Sequence, residues 1–197
     1  MKILLVNNHT QHLEDLLKSL AGHELEIQNY FPGIEFNDHD KDLIILSGGG
    51  GEGLEVNDDY QPGHPWYQDE MNFVKTTIKP VIGICMGFEV MVRAFGGKVT
   101  EAGETIRGVE EIEVLDQGFS QLGEKFLKQF EYHEWRVKEE DLPEEFTPLA
   151  KSRTGVEILR YKNLIGTQFH PEKGGTLSVQ RLIEILTKVS NTQPAFA

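Results

Sequence analysis

The one cysteine of the chain, Cys85, stands in the run VIGICMGFEVMVRAFGG at 81–97. Residues 81–84 have strand character and residues 88–95 have helical spacing. Gly83 and Gly87 bracket the cysteine. This is the pattern of a strand-to-helix elbow, where a nucleophile sits on a tight, strained turn and small neighbours let the chain pass close by. The positive end of the following helix favours thiolate over thiol. The alternative is a small buried hydrophobe at a strand end. For the elbow to do chemistry, the rest of the chain must supply a base, an orienter and an oxyanion hole.

His170-Pro171-Glu172 offers the first two, at the end of the apolar run 164–169. In extended chain, residues i and i+2 point to the same face, so His170 and Glu172 are expected to project together toward one site. The imidazole takes the thiol proton and later gives one to a leaving amine. The carboxylate holds the tautomer and stabilises the charged ring. A surface His–Glu pair is the competing reading. The third requirement falls to Ser47 and glycines 48–51, after the run 42–46. A phosphate cradle is the rival there, but no Lys-Ser/Thr follows, and Glu52 and Glu55 repel phosphate. Amide N–H groups facing a developing oxyanion contribute roughly 3–4 kcal/mol, and the amide of Met86, just after the nucleophile, is the expected second donor. For Gly50 and Gly51 a simple tight turn is the plainer alternative.

The elements that must position these groups read as a doubly wound α/β fold with a mostly parallel central sheet and helices on both faces. Strands are expected at 2–7, 24–30, 42–46 and 81–84, with helices at 12–20 and 66–79 between them. After Gly97 the pattern changes to short strands at 98–99, 108–115, 130–135, 147–152 and 156–161, with no long helix between them, which suggests a small flanking antiparallel layer. A strand at 164–169 and a helix at 176–189 close the pattern, with a frayed tail at 191–197. The segment 52–65 is polar and acidic and reads as a long loop, either a solvated one or a lid or partner surface. In such a sheet the ends at Leu46, Ile84 and Phe169 are carboxyl ends, where ligands bind. No repeat or linker interrupts residues 1–197, so a single domain is expected.

The totals narrow the function. A chain of 197 residues with 39% hydrophobic content is long enough for a full core. Its net charge of −13, from 19 Lys+Arg against 32 Asp+Glu, repels phosphate backbones and argues against a nucleic-acid partner. One cysteine allows no internal disulfide. No apolar run is long enough for a signal peptide or a membrane span, so a soluble, cytoplasmic protein without a membrane partner is expected. The set of candidate residues calls for no metal and no cofactor.

Three ordered motifs resemble the class I, triad-type glutamine amidotransferases: GICMGFE at 83–89, LSGGGG at 46–51 and QFHPE at 168–172, with FGGKV at 95–99 as a matching continuation. The resemblance covers nearly the whole chain and is to a free-standing glutaminase subunit of flavodoxin-like fold. It implies that Cys85 attacks the side-chain amide of L-glutamine, that ammonia leaves, and that a γ-glutamyl thioester is hydrolysed. His170 is then general base and acid, Glu172 its partner, and Gly49 and Met86 the oxyanion hole. The stretch Tyr132-His133-Glu134-Trp135 matches the part whose backbone holds the glutamine α-groups, which brings in Glu134 and Trp135. His133 also reads as a partly buried structural histidine. The resemblance further implies a partner synthase subunit that receives the ammonia, such as anthranilate, aminodeoxychorismate or GMP synthase. Two positions depart from the family pattern. The elbow glutamine is Glu89 here, a carboxylate able to receive the substrate ammonium but expected to raise the Cys85 pKa. Gly50 replaces a proline. Two other readings stand beside this one: a stand-alone hydrolase of another γ-glutamyl compound, and a non-catalytic regulatory subunit.

Overall fold

The computed structural model, which describes residues 1–49 and 65–190, turns the apolar runs into one mixed sheet. Its strands are β1 (Lys2–Asn8), β2 (Glu24–Asn29), β3 (Leu43–Gly49), β4 (Val81–Ile84), β5 (Thr100–Val114), β6 (Phe126–Arg136), β7 (Thr147–Lys151), β8 (Val156–Tyr161) and β9 (Leu164–Thr167). They lie in the order β2-β1-β3-β4-β9-β8-β7-β5-β6. Pairing is parallel from β2 through β9 and antiparallel from β9 to β6. The antiparallel strands therefore flank the parallel ones edge to edge, within the same sheet.

Helices cover both faces. Because strand side chains alternate, Ile3, Leu5, Leu43, Ile45, Ile82 and Ile84 pack on one side with α1 (Leu13–Ser19) and α5 (Val179–Ser190). Leu4, Val6, Ile44, Leu46 and Val81 pack on the other with α2 (Gln68–Thr76) and α3 (Met86–Ala94). Each fully buried Leu or Ile contributes about 1.5–3 kcal/mol, so these two-sided strands anchor the carboxyl edge where the candidate residues emerge.

The sheet also curls. Although β6 ends the strand order, the amide of His170 donates to the Phe130 carbonyl (2.9 Å), and Gln129 bridges to Gly175. The last strand thus returns to the edge formed by β3, β4 and β9. Three local readings change. Residues 98–99 precede the strand, and β5 and β6 are much longer than expected. A short helix, α4 (Asp116–Leu122), lies between β5 and β6. Pro171–Lys173 forms a single 3-10 turn in place of extended chain. The expected loop at 52–65 lies, but for Pro65, outside the described residues, as do Gly50, Gly51 and the tail. Among the described residues no helix is long and apolar enough to cross a membrane.

Candidate active site

Cys85 forms the elbow in the expected way, but its backbone shows how much the turn demands. Its φ is 50° and its ψ −103°, a conformation costing on the order of 1–3 kcal/mol for a residue with a Cβ. Two backbone bonds hold it: the Cys85 amide donates to Thr167 of β9 (2.7 Å), and the Glu89 amide donates to the Cys85 carbonyl (3.1 Å) as the first bond of α3. The flanking glycines are needed for clearance. A Cβ on Gly83 would lie 2.6 Å from the Gly87 carbonyl, and one on Gly87 would lie 2.5 Å from the Leu46 carbonyl. Strand β4, helix α3 and strand β3 meet there with no room for a side chain.

His170 follows β9 and packs beside the elbow. A Cβ built on Gly48 would sit 3.1 Å from His170 Cε1 and 3.6 Å from Cys85 Cβ, so both side chains border the same small space. The 3-10 turn folds Glu172 back, and His170 Nδ1 lies 2.8 Å from Glu172 Oε1. A carboxylate accepts there, which places the hydrogen on Nδ1 and leaves Nε2 as the basic nitrogen. The i, i+2 reading of this pair thus reaches the right contact through a different backbone. Gly49 ends β3 against Met86, the first residue of α3.

These groups open into one cavity of about 270 Å³, lined by Gly49, Cys85, Met86, Glu89, Glu134, Trp135 and His170 among others. Glu172 is buried behind His170 and does not line it. The curl of the sheet brings in the stretch 132–135, and Cys85 Sγ approaches the Tyr132 carbonyl at 3.9 Å. Glu89 accepts a hydrogen bond from Gln168 Nε2 (2.9 Å), and the exposed Glu134 accepts one from Thr105 Oγ1 (2.7 Å).

The thiol is not poised as the helix end alone suggests. Burial pushes the Cys85 pKa well above its ordinary value, Glu89 and Glu172 push it further, and the Met86 amide pulls only part of the way back. The expected effect of Glu89 is present, and desolvation outweighs the dipole. The resting site therefore favours the thiol over the thiolate.

Several cavity residues carry no motif and escape sequence reading. His12 lies edge-on to His170, with ring centroids 4.7 Å apart, and burial, then the charge of His170, lowers its pKa. Arg93 is buried on α3, donates to the Tyr67 hydroxyl, and stacks 5.6 Å from the ring centroids of both Tyr67 and Trp135. Its spacing from Glu89, one helical turn, was the available signal. Among the described residues one group of metal-type donors converges, Glu131, His133 and Glu157. Only His133 of the three borders the cavity.

An α/β sheet with a lone cysteine on a strand–helix elbow, and a hydrogen-bonded His–Glu pair at the same edge, is the layout of a thiol-dependent hydrolase. The particular family follows from comparison: residues 4–187 match the family model described as glutamine amidotransferase class-I, and the chain belongs to that family. It is 30% identical over 190 residues to the glutamine-hydrolyzing GMP synthase subunit of Methanothermobacter thermautotrophicus, covering 92% of this chain and 94% of that one. It is 33% identical over 138 residues to anthranilate synthase component 2 of Lactococcus lactis, covering 64% and 69%. The fold is shared with a Thermotoga maritima glutamine amidotransferase of known structure, at a TM-score of 0.68 and 19% identity over 98% of this chain and 86% of that one.

Proposed function

We propose that this chain is the glutaminase of an amidotransferase, acting in the cytoplasm on L-glutamine and passing ammonia to a separate synthase subunit. The observation that carries the reading is the strained Cys85 elbow facing the same space as the His170–Glu172 pair. His170 Nε2 takes the Cys85 proton as Sγ attacks the amide carbon. The amide oxygen becomes an oxyanion facing the Gly49 and Met86 amides. The C–N bond breaks as His170 returns the proton to nitrogen, and ammonia leaves a γ-glutamyl thioester. Water, deprotonated by His170, then attacks the thioester, releasing glutamate and restoring the thiol. Glu172 holds the ring and stabilises its charged form, completing a catalytic triad. Glu89, Glu134 and Trp135 contact the glutamine α-groups. Similarity over nearly the full length of a glutamine-hydrolyzing GMP synthase subunit favours a synthase of that kind as the partner.

Ammonia release from glutamine by the isolated protein, measured beside Cys85→Ala, tests this. The variant is expected to lose at least about a thousandfold in kcat/KM, and a glutamine-like electrophile is expected to label Cys85. No release with or without the synthase, together with no labelling, sinks the proposal. A second reading, hydrolysis of another γ-glutamyl compound, is favoured by Glu89, which places a carboxylate where the family carries glutamine.

A further inference from the structure

Glu131, His133 and Glu157 form an interior group that the thioester chemistry leaves unused. Their exposures are 0%, 5% and 1%. Glu131 and His133 are neighbours on one face of β6, and Glu157 comes from β8. His133 Nδ1 lies 2.6 Å from the Trp135 carbonyl, and Nε2 lies 2.7 Å from Glu131 Oε2. A carbonyl only accepts, so Nδ1 carries a hydrogen, and the carboxylate facing Nε2 asks for a second one. Burial alone lowers the His133 pKa, yet the Glu131 bond and the charges of Glu157 and Glu131 raise it above its ordinary value.

Glu157 completes the group. Its Oε1 accepts from Ser152 Oγ (2.6 Å) and Thr154 Oγ1 (3.0 Å). Its Oε2, and Oε1 of Glu131, are buried with no hydrogen-bond partner. Donor atoms of the three residues lie within 4.8 Å of one another. Two buried carboxylate oxygens without a donor, in one cluster, call for a proton or a cation. A metal suits the geometry poorly. Ligands of one tetrahedral ion at ordinary bond lengths sit roughly 3.3 Å apart, whereas Nε2 and Oε2 are at hydrogen-bond distance, and among the described residues three such side chains converge. A proton fits. Burial first, and then the charge of Glu131, raises Glu157 to about 7.

We propose that Glu157 is a positioning residue for the glutaminase: it carries a proton beside the buried Glu131–His133 ion pair, and with that pair, bonded to the Trp135 carbonyl, it fixes the 132–135 backbone beside Cys85. Two contacts carry this to the site. Glu131 is among the charges that push the Cys85 thiol up, and the imidazolium bonded to it offsets part of that effect. The Glu157 carbonyl accepts the Gln168 amide (2.9 Å), and the Gln168 side chain holds Glu89. The charged groups bearing on the cluster are Glu131 and His133 from β6 and Arg153 from the turn before β8. Arg153 is itself paired with Glu104 and Glu110 and feels Glu131.

The kinetic part rests on the glutaminase reading; the ionisation of Cys85 does not. Glu157→Leu is expected to raise KM for glutamine about tenfold or more through misplaced backbone, with a smaller change in kcat, and Glu157→Gln to recover most of that loss. Cys85 alkylation by iodoacetamide, followed from pH 6 to pH 9, reads the charge directly. Wild-type Glu157 ionises in this range and opposes the thiolate, while glutamine does not. The rate ratio of Glu157→Gln to wild type is therefore expected to climb from near one to about threefold, half a pKa unit of thiol shift. A ratio that stays flat across the range, with both proteins melting cooperatively, overturns the proposal. So does a folded Glu157→Leu with wild-type KM. If wild type releases no ammonia, the glutaminase reading fails, while the alkylation ratio still decides the cluster.

Discussion

Cys85 shows what burying a thiol costs. The elbow places a helix N-terminus at the sulfur, which is worth up to about 2 kcal/mol in favourable partly buried sites. Desolvation acts against it, and carboxylates of Glu89, Glu172 and Glu131 add to desolvation. On the proposed mechanism a base must therefore ionise the thiol in step with attack. Glu89 is the adjustable part, because it is partly exposed, lines the cavity and stands outside the proposed Cys85, His170 and Glu172 set. Glu89→Gln is expected to lower the thiol pKa and speed Cys85 alkylation at pH 8 by a few-fold. If glutamine is the substrate, turnover should stay level or rise, since the amide restores the family's residue. Alkylation that speeds up while turnover vanishes would show that the carboxylate reads a different γ-glutamyl compound. At this scale the proposed trio of Cys85, His170 and Glu172 was legible as a candidate because its residue types sit in short motifs. His12, Glu131 and Glu157 were not, because folding rather than a motif gives each its place, and Arg93 offered only its one-turn spacing from Glu89.

At the scale of elements, the elbow is one unit made by β3, β4 and α3. Gly83→Ala would force a methyl against the Gly87 backbone, and Gly87→Ala against the Leu46 carbonyl. Backbone cannot move aside as a side-chain end can. Each change is expected to destabilise the protein by about 1–3 kcal/mol and to lower glutaminase activity more than stability. Urea denaturation and kinetics on the same variants check this; an alanine at either position with wild-type values on both would show that the turn has slack. The same elements show what sequence reveals about fold. Runs such as Leu43-Ile44-Ile45-Leu46 are buried on both faces and read plainly as central strands. The start of β5, Thr-Glu-Ala-Gly-Glu-Thr at 100–105, is largely exposed and polar, so no alternation marks it, and its pairing with β6 supplies the structure. Helix α4 has a glycine inside it and a weak apolar stripe. The turn at Pro171 was misread because a proline fixes φ at a value that both extended chain and the first turn of a helix accept.

Across the whole molecule the net charge is −13, and in the interior desolvation holds two buried glutamates as acids. Glu70 of α2 is fully buried, and burial raises its pKa to about 8 against a small opposing effect of its Asn8 bond. Asn8 Nδ2 donates to Glu70 Oε1 (3.1 Å) and to the Ser47 carbonyl (3.3 Å), while its amide donates to Ser47 Oγ (2.8 Å). This cluster joins α2 to the carboxyl ends of β1 and β3, just before Gly48 and Gly49. An unfolded glutamate titrates near roughly 4.3, so between there and about 8 the folded chain holds a proton that the unfolded chain has lost. The folded state binds more protons, and stability falls as pH rises through this window, by about 1.4 kcal/mol per pH unit for such a group. Glu157, raised to about 7, acts in the same direction. Urea unfolding at pH 5, 6.5 and 8 is therefore expected to show the protein weakening toward pH 8, a slope opposite to that of proteins held by ion-paired carboxylates. Glu70→Gln keeps the shape and removes the titration, so its slope should be shallower by about one proton over most of the range. An equal slope in the variant would place the pH dependence elsewhere. A flat profile in wild type, with the same flat profile in Glu70→Gln, would mean that Glu70 is ionised in the fold.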